Sequence, residues 1–345
     1  MEYRGLGRTG MMVSPLCLGT MMFGKWGNED HDDSVRIIHA ALDGGINFID
    51  TADVYSRGES EEIVGKALAD GRRDQVILAS KVHGKMGDDP NQKGNSRRWI
   101  TMEVENSLRR LDTDWIDLYQ IHRPDPHIEI AETLGVLTDL QRAGKIRAFG
   151  CSTFPAEQIV EAQWCSQRRG LDRFVTEQPP YSIFARGIEG DVLPTTERYE
   201  MGVLPWSPLA GGWLAGKYRR EGGEDSPGSS VRSEMMSERF DTSNPRNEAK
   251  LDAVEALIAL ADEAEMSLIH LALGFTLVHP AITAPIIGPR TMGHLESQLG
   301  AAEVILSDEI LDRIDEIVPP GTDLDPDFDN TPAALEDSSL RRRGR

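Results

Sequence analysis

Cysteine is scarce: the chain of 345 residues holds three, Cys17, Cys151 and Cys165. An odd number without framework spacing excludes a disulfide scaffold and fits free thiols in a reducing compartment. No run approaches the roughly 20 apolar residues that span a bilayer, and no charged-then-apolar leader opens the chain. A cytoplasmic protein with no membrane partner is therefore expected. Positive charge is also short: 37 Lys and Arg against 57 Asp and Glu give a formal net charge of -20, which repels a phosphate backbone. Nucleic acid is excluded as a partner on that ground.

What is present is an alternation. Short apolar runs at 16–20, 47–50, 76–81, 117–122, 146–151, 174–178, 202–206 and 284–288 alternate with amphipathic stretches such as 33–42, 59–69, 97–111, 130–143 and 156–168. Gly44, Gly71, Gly144 and Gly170 stand where helices should stop. Eight βα units predict an α/β fold, a (β/α)8 TIM barrel, which accommodates the whole chain, 1–345, as one domain. Residues 1–13 predict an N-terminal β-hairpin. Its Gly5, Gly7 and Gly10 spell G-x-G-x-x-G, but no helix follows to aim an N-terminus at a pyrophosphate, so the dinucleotide fingerprint is rejected. The segment 211–247 breaks the βα rhythm and is expected to be a lid over the site, since active sites of this fold lie on the face where such loops emerge. The tail, 320–345, reads as irregular surface chain; its aspartates lack the glycine and terminal glutamate of a calcium loop.

Polar residues mark the carboxyl ends of successive strands: Asp50, Lys81, His122, Ser152, Gln178 and Ser207. A barrel brings those ends to one mouth. Taken singly, each has a plain structural reading; together with Tyr55 they fit one chemistry. A phenol is a weak acid at neutral pH, and a neighbouring ammonium lowers its pKa. Lys81 can supply that charge, Asp50 can hold the lysine, and His122 can donate to a substrate carbonyl or relay a proton to Tyr55. Such a set protonates an alkoxide but provides neither a nucleophile nor a hydride, so a nicotinamide cofactor is implied. No metal is expected. The nearest imidazole pair, His122 and His127, is separated by Pro124 and Pro126, which spoil a helical ligand geometry.

The segments GINFIDTADVYSRGESEEIVGKAL (45–68), ILASKVHG (77–84), IDLYQIHRPD (116–125), GCSTF (150–154) and PWSPLAGGWLAGKY (205–218) resemble the aldo-keto reductase family in order and spacing. The resemblance implies a catalytic tetrad of Asp50, Tyr55, Lys81 and His122, and NADPH as cofactor. It further implies that Ser152, Thr153 and Gln178 hold the nicotinamide carboxamide, with Trp206 stacking on the ring. Ser207, Leu209, Gly211 and Lys217 are implied to grip the pyrophosphate. Gly288, Arg290, His294 and Gln298 would surround the adenosine end, and Gly19, Thr20 and Met21 would flank the cofactor. Thr153 stands where the family commonly has Asn, His294 where it has Arg or Gln, and Gln298 where it has Asn. Met22, Phe23, Trp26, His83, Met86 and Trp213 are expected to line the pocket for a small-molecule carbonyl substrate. The same resemblance extends to potassium-channel β subunits, which bind nucleotide in a regulatory role. Neither a particular carbonyl nor an oligomeric state is written in these motifs.

Overall fold

A computed structural model describes residues 1–221 and 237–324. The hairpin is two short antiparallel strands, β1 (Arg4–Gly5) and β2 (Met12–Val13), with Arg4 opposite Val13. Eight parallel strands follow: β3 (Cys17–Gly19), β4 (Phe48–Asp50), β5 (Ile77–Val82), β6 (Ile116–Ile121), β7 (Ile146–Ser152), β8 (Thr176–Gln178), β9 (Gly202–Val203) and β10 (Ile286–Ile287). Their order is β10-β3-β4-β5-β6-β7-β8-β9. The Ile286 N–H donates to Pro205 O at 2.8 Å and the Thr283 N–H to Val203 O at 2.9 Å, which joins the last strand to the chain around β9 and closes the ring.

Every predicted strand is found, most of them trimmed at the ends. The helices are α1 (His31–Asp43), α2 (Glu59–Leu68), α3 (Arg97–Leu111), α4 (Ile130–Arg142), α5 (Ala156–Arg169), α6 (Val192–Arg198), α7 (Ser237–Phe240), α8 (Glu248–Glu263), α9 (Leu268–Val278), α10 (Met292–Leu299) and α11 (Asp308–Ile317). Their ends follow local chemistry. Asp30 accepts from the Asp32 and Asp33 N–H groups at the start of α1, and Ser96 accepts from the Trp99 N–H at the start of α3. Gly170 ends α5 at φ 65°, a conformation that costs a Cβ-bearing residue about 1–2 kcal/mol.

Two apolar cores divide the work. The larger lies between the strands and the helices, and the smaller fills the barrel interior. Cys17, Phe48, Ala79, Leu118, Ala148, Leu204 and Ala284 form the inner layer, and Leu6 and Val13 of the hairpin join it, so the hairpin packs against the barrel interior. Strand side chains alternate with period two, so the next inward positions after Phe48, Ala79, Leu118, Ala148 and Leu204 are Asp50, Lys81, Gln120, Gly150 and Trp206. The interior is apolar up to this level and polar above it.

The segment expected as a lid falls partly outside the described residues, since 222–236 are not among them. Its flanks are anchored. Trp213 packs on Tyr218 with ring centres 5.0 Å apart, and Tyr218 stacks on Phe240 of α7 at 5.3 Å. The start of the tail is less irregular than expected: the Leu324 N–H donates to Phe184 O at 2.8 Å and Asp323 pairs antiparallel with Ala185. The rest, 325–345, lies outside the described residues.

Candidate active site

Lys81 is the hinge of the site. It is fully buried near the end of β5, and its Nζ donates to Asp50 Oδ1 at 2.5 Å, to Thr51 O at 2.8 Å and to the Tyr55 hydroxyl at 3.2 Å. All three donor positions of the ammonium are thus used within the site. The other carboxylate oxygen of Asp50 accepts from Gln178 Nε2 at 2.9 Å and Gln120 Nε2 at 3.2 Å, which fixes the acid that fixes the lysine. Gln120 was not among the expected residues. It lies two positions before His122 on β6, so the period-two pattern carried the signal.

Tyr55 sits on a single turn between β4 and α2. The two residues after it, Ser56 and Arg57, hold left-handed φ values of 47° and 57°, uncommon for residues with a Cβ. Ser56 is buried, and its Oγ accepts from the Trp26 N–H at 3.1 Å and donates to Phe23 O at 3.3 Å, tying the Tyr55 turn to the loop after β3. The phenol meets the edge of the His122 ring, with centroids 5.8 Å apart and planes at 80°. No direct hydrogen bond joins the two rings, and the His122 ring nitrogens have no hydrogen-bond partner among the described residues.

The electrostatics revise one expectation. Burial pushes the Tyr55 phenol above its ordinary range, and the nearby Lys81 charge only partly offsets that, so the net shift is upward. Lys81 itself is pulled down by burial but raised further by Asp50 and Tyr55, so it stays charged. Burial together with the charges of Lys81 and Arg123 holds His122 well below the usual imidazole range. The site at neutral pH is a protonated phenol, an ammonium and a neutral imidazole.

Ser152 and Gln178 are buried side by side, with Ser152 Oγ donating to Gln178 O at 2.8 Å. Thr153 lies 3.4 Å from Ser152 through its hydroxyl and takes φ 58°. Trp206 is half-buried, with the Arg123 guanidinium 5.7 Å from its ring centre. Gly19 is held by strand packing, since a Cβ there would come within 2.5 Å of Ile286 Cγ2. Thr20 is buried and bonded to Ser60 Oγ at 2.8 Å, with half-buried Met21 next to it. After β9, Ser207, Ala210, Gly211 and Gly212 take positive φ values of 56°, 48°, 71° and 108°, coiling the loop that also carries Leu209 and leads to Lys217. After β10, Gly288 is exposed with open space around it, and Arg290 is linked through its carbonyl to Asn28 Nδ2 at 3.1 Å. His294 caps back towards the Arg290 N–H at 3.4 Å. Gln298 is buried with Oε1 left without a partner, an acceptor suited to an amino group of a bound molecule. That orphaned acceptor and the coiled glycine loop fit a dinucleotide laid from the β7 end to α10.

The pocket residues divide. Trp26 is half-buried with its ring 6.2 Å from Tyr55, and Met22 lies on the same loop. His83 is held by Asn95 through Nδ1 at 2.9 Å. Met86 packs partly against the outer core. Phe23 and Trp213 are corrected: both are fully buried in that core, where large apolar rings gain most from leaving water, so neither presents a face to a substrate.

Glu177, next to Gln178 on β8 and facing the opposite side of the strand, was also missed. Burial pushes its carboxyl up to about 7, and Oε1 accepts from the Phe154 N–H at 3.1 Å. A carboxyl raised above its ordinary 4.5 adds stability that is complete below that value and lost as pH rises through about 7. Glu177→Gln is therefore expected to flatten the fall in unfolding free energy between pH 4.5 and about 7, read from urea midpoints across that range. An unchanged pH slope would contradict the assignment of that titration to Glu177.

The comparisons agree with this geometry. The model of the Aldo/keto reductase family matches residues 15–319. An aldo-keto reductase of Bacillus subtilis, YhdN, is 41% identical over 301 residues, covering 86% of this chain and 87% of the relative. The uncharacterized oxidoreductase YrpG of the same organism is 38% identical over 330 residues, covering 92% and 96%. A probable voltage-gated potassium channel subunit beta of Oryza sativa is 34% identical over 331 residues, covering 92% and 97%. With a barrel closed by eight parallel strands and a family match over most of its length, the chain belongs to the aldo/keto reductase family, oxidoreductases that act on carbonyl groups.

Proposed function

We propose that this protein uses NADPH to reduce an aldehyde or ketone, with Tyr55 as the proton donor. The observation that carries the reading is the single ammonium of Lys81 bonded to both Asp50 and the Tyr55 hydroxyl. NADPH, when bound, supplies the hydride. Everything else falls to side chains. The neutral His122 ring, unclaimed by protein partners, donates to the carbonyl oxygen and orients it. Tyr55 delivers its proton to that oxygen as negative charge grows there, and Lys81 stabilises the phenolate left behind. Burial keeps Tyr55 protonated through neutral pH, the state a donor needs. An NADPH-oxidation screen across aldehydes, ketones and quinones tests the reading. A regulatory role is the second reading, favoured by the relatives named as potassium channel β subunits in Oryza sativa and Arabidopsis thaliana. Binding of NADPH with no turnover of any carbonyl would select it.

Cofactor choice is proposed to rest on Arg290. It precedes α10, where a cation gains nothing from the helix dipole, and its guanidinium has no ion pair among the described residues. A charge-assisted, often bidentate bond to the ribose phosphate of NADPH accounts for a cation at that place. Arg290→Ala is expected to weaken NADPH by about 1.5–3 kcal/mol and leave NADH nearly unchanged. Fluorescence titration of both cofactors decides: equal losses would move Arg290 to a structural role.

A further inference from the structure

Arg123 follows His122 at the mouth of the barrel and has no counter-ion among the described residues. Its guanidinium donates to the carbonyl of His122 at 2.6 Å, reaches Ser152 Oγ at 3.5 Å and lies over the Trp206 ring. Starting from the end of β6, it therefore extends over β7 towards the residue beyond β9, across the opening rather than along a strand. No carboxylate comes within ion-pair distance of it among the described residues. The cost of that isolation is visible: burial lowers its pKa, and the fields of Tyr55 and Glu177 offset this only in part. Glu177 does not neutralise it, because burial holds that carboxyl near 7 and its Oε1 is taken by the Phe154 N–H. The other cation beside Tyr55, Lys81, is already neutralised by Asp50. A half-buried guanidinium kept without an anion is expensive unless something else supplies the anion.

We infer that Arg123 is a specificity-determining residue that takes the carboxylate of the substrate, so that this site favours carbonyl compounds carrying a carboxylate. The inference rests on the proposed reductase reading for where the carbonyl sits, beside Tyr55 and His122. The forked guanidinium matches a carboxylate in two parallel bonds, which an ester cannot reproduce. The overall charge of -20 works against anionic molecules at long range, so the preference has to be made locally, by a group such as this one.

The test compares para-carboxybenzaldehyde with its methyl ester, the same aldehyde with and without the charge. The wild type is expected to show kcat/KM at least about tenfold higher for the acid, the lower range for a bond to a charged group. In Arg123→Met, and in Arg123→Gln, which keeps a donor for the His122 carbonyl, that ratio is expected to fall to about one. NADPH fluorescence titration reports that each variant is folded. A wild-type ratio near one, or a ratio that survives in both variants, overturns the inference while leaving the reductase reading intact. If neither aldehyde is turned over, the carbonyl screen decides the reductase reading and equilibrium binding decides the inference alone. Tighter binding of para-methylbenzoate than of para-methylbenzamide, lost in Arg123→Gln, supports it, and equal binding overturns it.

Discussion

Tyr55→Phe is expected to lower carbonyl turnover by at least about a hundredfold, the lower end of what one positioned proton donor contributes, while NADPH affinity changes little. The substitution is well isolated. Phe keeps the edge contact with the His122 ring, the neighbouring Trp26 and the Lys81 ammonium 4.9 Å from the ring centre. Only the oxygen goes. Lys81 loses its longest contact, at 3.2 Å, and retains Asp50 and Thr51. The buried charge pair therefore survives, and the fold has no reason to suffer. The pH profile should change as well as the rate. In the wild type the phenol must be protonated to donate, so activity falls as pH rises through its upward-shifted pKa, and that alkaline limb should vanish from the residual activity of the variant. Steady-state kinetics with a reactive aldehyde and a separate NADPH titration check both halves. A variant retaining most of its turnover would remove Tyr55 from the mechanism and leave His122 as the remaining group facing the carbonyl.

The chain declares its scaffold more openly than its surface chemistry. Strand and helix periods depend on residues near one another in sequence, so the eight strands and the helix 97–111 can be read with little error, and Asp50, Lys81 and His122 follow from their places at strand ends. Gln120 lay within reach of the same argument, two positions before His122, but a glutamine mid-strand carries no chemical alarm of its own. Phe23 and Trp213 go the other way. An aromatic on a loop beside the mouth has equal compositional claim to pocket and core, and the choice depends on how the loop folds back, which long-range packing sets. The same limit applies to the Tyr55 phenol. Its charged neighbour is visible in the sequence and predicts a lowered pKa, whereas the desolvation that outweighs it exists only once the barrel is closed. Arg123 shows the difference most clearly: beside His122 it reads as an ordinary charged residue, and only the folded chain shows that no carboxylate among the described residues meets it.

The largest stability effect is expected away from the mouth, at Arg110 on α3. Its Nε donates to Glu61 at 2.6 Å and its terminal nitrogen to Glu103 at 2.5 Å, and both glutamates are buried. Asp53 stands nearby with one buried oxygen unpartnered, its carboxyl pushed well above the usual range by burial and by the fields of Glu61 and Glu103. One guanidinium thus serves a buried acidic cluster. Its removal in Arg110→Met leaves those carboxylates without a cation and is expected to cost about 3–5 kcal/mol. The cost should depend on pH with a definite sign. Burial already raises Glu61 against the pull of Arg110; without the arginine it rises further, so the deficit of the variant is smallest in acid, below the ordinary carboxylate range, and grows as pH rises through the new folded value. The site should feel the change, because the same cluster anchors the Tyr55 turn. Arg110 crosses Gly58 so closely that a Cβ there would lie 2.6 Å from its Cδ, and Glu61 accepts from Ser80 Oγ, the neighbour of Lys81 on β5. Urea unfolding of the wild type, Arg110→Met and the double variant with Glu61→Gln provides the check. The double variant should recover part of the loss, since one stranded charge has gone. Additive losses would mean that Arg110 stabilises the protein through its packing on Gly58 rather than through the charges it satisfies.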